Sequence, residues 1–237
     1  MDKIILKLSG EALKGDKESG IDTSKLIHFA KEIKAANDLD TARIGIIVGG
    51  GNFFRGRDAL KIGLSRVDTD YMGMLGTILN AIALNDCLSS MGAKVKTFSS
   101  LPLPTVLEEY NKDEAIKYLE NGYITIFAGG TGKPYCSTDS ATLMKARDIK
   151  ARMVIMGKNG VDGVYTDDPK TNPNAKKYDI LTHKEILDNK LNVMDLEAAA
   201  IAEEENIDIF VFNIDEENAI ARAIKGEIEG TTIKKEI

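Results

Sequence analysis

Apolar residues along this chain fall into short runs that alternate with longer stretches where they recur every third or fourth position. Residues 4–8 form a buried-strand pattern, followed at once by Ser9-Gly10-Glu11. From 23 to 36, Leu26, Ile27, Ala30 and Ile33 recur at helical spacing. A second strand over 43–48 runs into Gly49-Gly50-Gly51, and a long helix is predicted over 67–91. Its buried stripe reads as Met74, Ile78, Ala81, Ile82 and Leu88. Further strands are predicted over 94–98, 123–127, 153–156 and 207–212. Helical patterns cover 114–119, 138–149, 184–187, 196–204 and 216–224, and 166–174 is turn-rich around Pro169 and Pro173. Repeated strand-then-helix units imply crossover connections, hence an α/β fold with a mostly parallel sheet covered on both faces. The pattern reads as one continuous fold with two lobes and no internal repeat.

Composition narrows the function. The chain has 237 residues, a formal net charge of -6 and 43% hydrophobic residues, so it is long enough to bury a core unaided. An acidic balance excludes a general nucleic-acid or membrane-surface binder, because such surfaces demand clustered positive charge. No apolar run reaches membrane-spanning length, and residues 1–7 hold too short an apolar stretch for a signal peptide. Cys87 and Cys136 stand in no metal or redox spacing, which fits a cytoplasmic location. His28 and His183 lie too far apart in sequence to suggest a zinc site or a histidine triad.

Three predicted strand ends carry glycine clusters: Ser9-Gly10, Gly49-Gly50-Gly51-Asn52 and Gly129-Gly130-Thr131-Gly132. Ligands of open α/β sheets collect at such carboxyl ends. Glycine lets backbone N–H groups turn toward an anion and approach it closely. Any one cluster is most simply a turn; three together favour phosphate. The two common nucleotide fingerprints are missing. Gly132-Lys133 is followed by Pro134, and neither Gly49/Gly51 nor Gly130/Gly132 has the third glycine of G-x-G-x-x-G.

An ordered set of blocks is more specific. Lys7-Leu8-Ser9-Gly10-Glu11, residues 49–56, Asp70-Tyr71-Met72-Gly73-Met74 and residues 130–135 resemble the bacterial uridylate kinases of the amino acid kinase superfamily. The likeness continues through residues 137–141, 161–169 and 193–196. It implies ATP-dependent phosphorylation of UMP to UDP with Mg²⁺ brought as Mg-ATP. It also implies a three-layer αβα sandwich, with a UMP lobe over about 1–150 and an ATP lobe over about 151–237, and assembly as a homohexamer.

The chemistry of phosphoryl transfer asks for in-line positioning and positive charge over the transferring oxygens. Lys7 alone would read as a surface lysine; the resemblance places it on the transferring group. Asp139 alone would read as a first-turn acid; the resemblance makes it catalytic support. The Arg55 guanidinium suits a phosphate fork, and the resemblance assigns it to both nucleotides. Gly50 then faces UMP and Gly51 faces ATP, as do Leu8, Ser9 and Gly10. A carboxylate at Asp70 can accept from ribose hydroxyls. The loop Thr131, Gly132, Lys133, Pro134, Tyr135, Cys136, Ser137 and Thr138 can address uracil. Cys136 has no accompanying base and reads as packing. Asn159, Tyr165 and Asp168 match the family's ATP positions; Lys158 is a weaker candidate for a second cation, and Asp195 has no chemical role from sequence. No all-protein metal cage is evident.

Two other readings stay open at this level: a superfamily kinase acting on a carboxylate or carbamate, and a nucleotide-sensing regulator without turnover. The resemblance also implies GTP as activator and UTP as inhibitor. Asn85 and Tyr123 stand where some relatives carry basic GTP contacts, although Asp86 and Lys96 are suited, so a weaker or differently built GTP response is expected.

Overall fold

The computed structural model describes residues 1–54, 63–191 and 193–236. Polar side chains set the helix starts. Asp22 caps α2 (Thr23–Asp38), Ser65 caps α3 (Arg66–Ser90) and Asn111 caps α4 (Lys112–Glu120). Ser137 caps α5 (Thr138–Ile149), Thr182 opens α6 (His183–Asn189) with a capping box, and Asp195 caps α7 (Leu196–Glu205). Each accepts from first-turn amides that have no helical partner. A short α1 (Gly10–Lys14) and α8 (Ala219–Lys225) complete the described helices. The Asn218 start of α8 has no side-chain cap of its own; Glu32, on α2, accepts from Asn218 N at 2.9 Å instead.

The strands are β1 (Lys3–Leu8), β2 (Arg43–Val48), β3 (Val95–Ser99), β4 (Glu108–Glu109), β5 (Ile124–Ala128) and β6 (Met153–Lys158). After a β7–β8 hairpin (Val164–Tyr165, Lys177–Tyr178) come β9 (Ile180–Thr182), β10 (Asp208–Asn213) and β11 (Gly230–Lys234). One sheet has the order β4-β3-β5-β2-β1-β6-β10-β11-β9, parallel throughout except for β10–β11. Strands from before residue 150 make one half and those after it the other, meeting where Leu6 pairs with Ile155.

Alternation along the strands divides the core in two. Ile4, Leu6 and Leu8 of β1 face α2, α3 and α8, whereas Ile5 faces the layer of α4 to α7. The αβα sandwich follows, and the central strands β1, β2, β5 and β6 are apolar on both faces because both are covered. Two stripe assignments differ from the sequence pattern. On α2, Phe29, Ala30, Ile33 and Ala36 are buried while Ile27 is exposed. On α3, Leu84 takes the buried place expected for Ile82, which is exposed with Tyr71, Leu75 and Leu79. That helix carries two apolar stripes, and period alone cannot say which one meets the sheet.

Candidate active site

From β1 the chain builds outward through β2 on one side and through β6 on the other. The carboxyl ends of β1 and β6 therefore flank the point where strand order reverses, the usual ligand position in such sheets. Lys7 sits there, paired in register with Ile47 and Met156. Its Nζ lies 2.8 Å from Asp139 Oδ1, and both side chains are mostly buried. Among the described residues, no donor stands in hydrogen-bond geometry to that buried oxygen. Lys158, at the end of β6, donates to Val193 O at 2.7 Å. Burial lowers its pKa from the usual 10.5, the nearby Lys7 charge pushes the same way, and Asp139 opposes both. Two lysines and one carboxylate thus share a water-poor corner, a cluster suited to an anion that brings more negative charge.

On the β6 side a cavity of about 420 Å³ opens. Lys158, Asn159, Tyr165 and Asp168 line it, so the structure brings these four expected residues together. Tyr165 donates its hydroxyl to Asp162 Oδ1 at 2.6 Å, and Lys177 Nζ meets Asp162 at 2.9 Å and Glu229 at 3.1 Å. Asn159 Nδ2 donates to Asp215 Oδ1 at 3.0 Å, which fixes the wall next to Lys158. Asn189, Lys190 and Leu191, at the end of α6 and in the turn after it, also line the cavity and carry no motif, while Val193 opens the 193–196 block.

On the β2 side the glycine loop lies tight against α3. A Cβ at Gly50 would stand 2.4 Å from Gly73 O and 2.9 Å from Thr77 N, so only glycine allows this approach. At Gly10 a Cβ would meet Gly49 O at 2.5 Å, which joins the ends of β1 and β2. Ser9 caps α1 by accepting from Glu11 N. Leu8 is core, and Gly51 has only ordinary contact with Glu11. Asn52 and Asn80 are buried and exchange hydrogen bonds; Asn80 Nδ2 also donates to Gly49 O at 2.7 Å. Arg55 lies outside the described residues.

Asp70 and the 131–138 loop meet directly, since Tyr135 N donates to Asp70 Oδ2 at 2.7 Å. Gly129, Gly130, Gly132 and Tyr135 all have positive φ, which turns the loop back toward the helix. Thr131 Oγ1 accepts from Lys133 N at 3.2 Å, while Lys133 and Tyr135 side chains are exposed and Cys136 is a half-buried free thiol. Pro134, Thr138 and Ser137 complete the turn into α5. Asp195, without a role from sequence, ties two helix starts together. It accepts from Ala198 N at 2.9 Å and from the Ser137 hydroxyl, while Ser140 Oγ donates to Glu197 Oε2 at 2.9 Å. The helix that carries Asp139 is thereby anchored to α7.

Comparison with known proteins shows the family. Residues 2–213 match the model of the amino acid kinase family. A uridylate kinase of Pediococcus pentosaceus is 44% identical over 234 residues, covering 99% of this chain and 97% of that protein. One from a Shewanella species is 46% identical over 232 residues, covering 98% and 95%. Among solved structures, the UMP kinase of Bacillus anthracis superposes with a TM-score of 0.95 at 37% identity, covering 100% of this chain and 97% of that one. The UMP kinase of Ureaplasma parvum gives 0.93 at 36%, covering 99% of each chain. With a family match over residues 2–213 and relatives aligned along nearly its whole length at 36–46% identity, this chain belongs to the amino acid kinase family, among its uridylate kinases.

Proposed function

We propose that this protein transfers the γ-phosphoryl group of ATP to an α-phosphate oxygen of UMP, giving UDP and ADP. The observation that carries this reading is the Lys7–Asp139–Lys158 corner, with Lys158 lining the 420 Å³ cavity and the glycine-rich ends of β1 and β2 beside Lys7. ATP occupies the cavity of the 151–237 half, with Tyr165 and Asp168 toward the nucleoside and its phosphates along Ser9, Gly10 and Gly51. UMP lies in the 1–150 half, with its phosphate at Gly50 and Arg55, ribose at Asp70 and uracil in the 131–138 loop. The bond from Pγ to the β-phosphate oxygen breaks as the new bond to the UMP oxygen forms, and Lys7 and Lys158 offset the charge on the transferring oxygens. Asp139 holds Lys7 in line.

The buried Asp139 oxygen is a hard ligand, so the residues present fit a Mg²⁺ that arrives with ATP. When bound, that ion neutralises part of the phosphate charge. Asp139 is the residue that would face it or its waters.

The exposed stripe Tyr71, Leu75, Leu79 and Ile82 supports self-association, and we assign the family's hexamer and a cytoplasmic location on the resemblance. GTP activation is expected to be weak. Lys96 is already paired with Glu108 and lies over Tyr118, and Asn85 Oδ1 accepts from Thr97 Oγ1 at 3.0 Å. Rates with and without GTP at fixed ATP check this, and UTP added to the same assay tests inhibition.

The deciding experiment is an acceptor panel (UMP, CMP, dUMP, AMP, acetylglutamate and carbamate) with Mg-ATP, read as ADP formed. UMP should be phosphorylated fastest. Faster turnover of acetylglutamate or carbamate would move the protein to another branch of the family, and UMP binding without ADP formation would make it a sensor.

A further inference from the structure

Asp70 is the carboxylate given to the acceptor ribose, yet it is already engaged. Arg66, one turn earlier on α3, donates from Nε to Asp70 Oδ1 at 2.9 Å and to Oδ2 at 2.8 Å. Tyr135 N, arriving from the loop 65 positions later, donates to Oδ2 at 2.7 Å. The Arg66 guanidinium carbon also stands 5.8 Å from the centre of the Tyr135 ring. Tyr135 is held at φ 67°, a left-handed conformation that a non-glycine residue adopts at a cost and that needs outside support. One arginine therefore grips both the carboxylate and the loop residue that the carboxylate binds.

We propose that Arg66 is a positioning residue for acceptor recognition, latching the 131–138 loop to α3 and fixing the rotation of the Asp70 carboxylate. The inference rests on the UMP kinase reading and deepens it. A carboxylate offers about four lone-pair directions, and the three contacts here leave the open one on Oδ1. Asp70 thus reads a single ribose hydroxyl, and Arg66 decides which direction is left for it. The Asp70 side chain is 16% exposed and Arg66 is 51% exposed. Removing the guanidinium therefore frees the carboxylate to rotate without opening a hole in the core. A freely rotating carboxylate accepts from either hydroxyl and holds neither well.

The test compares the intact chain with Arg66→Met, which keeps the aliphatic stem, and Arg66→Lys, which keeps charge without the planar fork. Acceptors are UMP, 2′-deoxy-UMP and 3′-deoxy-UMP. In the intact protein one deoxy acceptor should lose at least tenfold in kcat/KM and the other less than threefold. In Arg66→Met the KM for UMP should rise about tenfold and kcat by contrast change less than threefold, as for loss of an interaction made equally in ground and transition states. The gap between the two deoxy acceptors should close, with Arg66→Lys intermediate. Without any ligand, hydrogen exchange at the Tyr135 amide should quicken at least tenfold in Arg66→Met, since its acceptor is no longer held. An unchanged KM and an unchanged deoxy gap in Arg66→Met overturn the inference, as does a lower KM, which would make Arg66 a competitor of the ribose. Should the intact protein fail to phosphorylate UMP, the functional reading itself falls, and the exchange arm still decides whether the latch exists.

Discussion

At the scale of single residues, the proposed transfer rests on charges that the fold keeps largely out of water. Lys7→Met should lower kcat by about 10²–10³ while leaving the circular dichroism spectrum and UMP binding in place, because a charge aimed at the transferring group counts mainly in the transition state. Lys158, whose ammonium burial disfavours, should give the alkaline limb of kcat/KM for ATP. That limb should begin below the ordinary lysine range and move up in Lys158→Arg; an unmoved limb would assign it to another group. Lys7, Asp139 and Asp70 were legible in sequence because Lys7 and Asp70 each open an ordered motif and Asp139 stands at the centre of one. Arg66 and Asn80 were not: on a helix they look like ordinary polar positions, and their partners Tyr135 and Asn52 lie 69 and 28 residues away. The motif at Asp195 was visible, but its work of joining two helix starts depends on Ser137, 58 positions earlier.

At the scale of elements, the acceptor side is built by pressing a glycine loop against a helix. Gly50→Ala puts a methyl group within 3 Å of Gly73 O and Thr77 N, both rigid backbone. Overpacking of this kind costs about 1–3 kcal/mol. The variant should unfold earlier in denaturant and show a raised KM for UMP, with the KM for ATP little changed; equal losses for both substrates would mean the loop serves the whole site. The longer strands and helices announced themselves by period, to within a residue or two for most. Strands of two or three residues such as β4, β7, β8 and β9, and the five-residue α1, contain too few positions to show one. Asn189, Lys190 and Leu191, which line the cavity, escaped for the same reason, lying at the end of short α6 and in the turn after it.

At the scale of the molecule, two features outside the catalytic corner make predictions. Leu75→Glu with Leu79→Glu, on the exposed α3 stripe, should lower the mass measured by light scattering if that face joins copies of the chain; an unchanged mass sinks the assignment. His183, at the start of α6, is fully buried, and neither ring nitrogen has a hydrogen-bond partner among the described residues. Burial lowers its pKa from 6.5, against the weaker pull of the Ile207 backbone, Asp208 and Glu203. Because the folded form resists the proton, the unfolded chain binds more protons below pH 6.5, and stability falls as pH drops through that value. Thermal unfolding between pH 7.5 and 5.5 should show this fall, and His183→Leu should reduce it.

The far edge of the sheet has a consequence for the order of assembly. Among the described residues, β9 joins the sheet only through β11, which lies some fifty positions later in the chain. Until residues 230–234 leave the ribosome, β10 lacks one neighbour and β9 has no strand to pair with, although Lys7, Asp139 and Lys158 precede them in the chain. The nascent protein therefore passes through an interval when those three residues have emerged but its flank is open. A chaperone that clasps exposed strand edges would find its target there, and trimming the tail back past Gly230 would make that interval permanent.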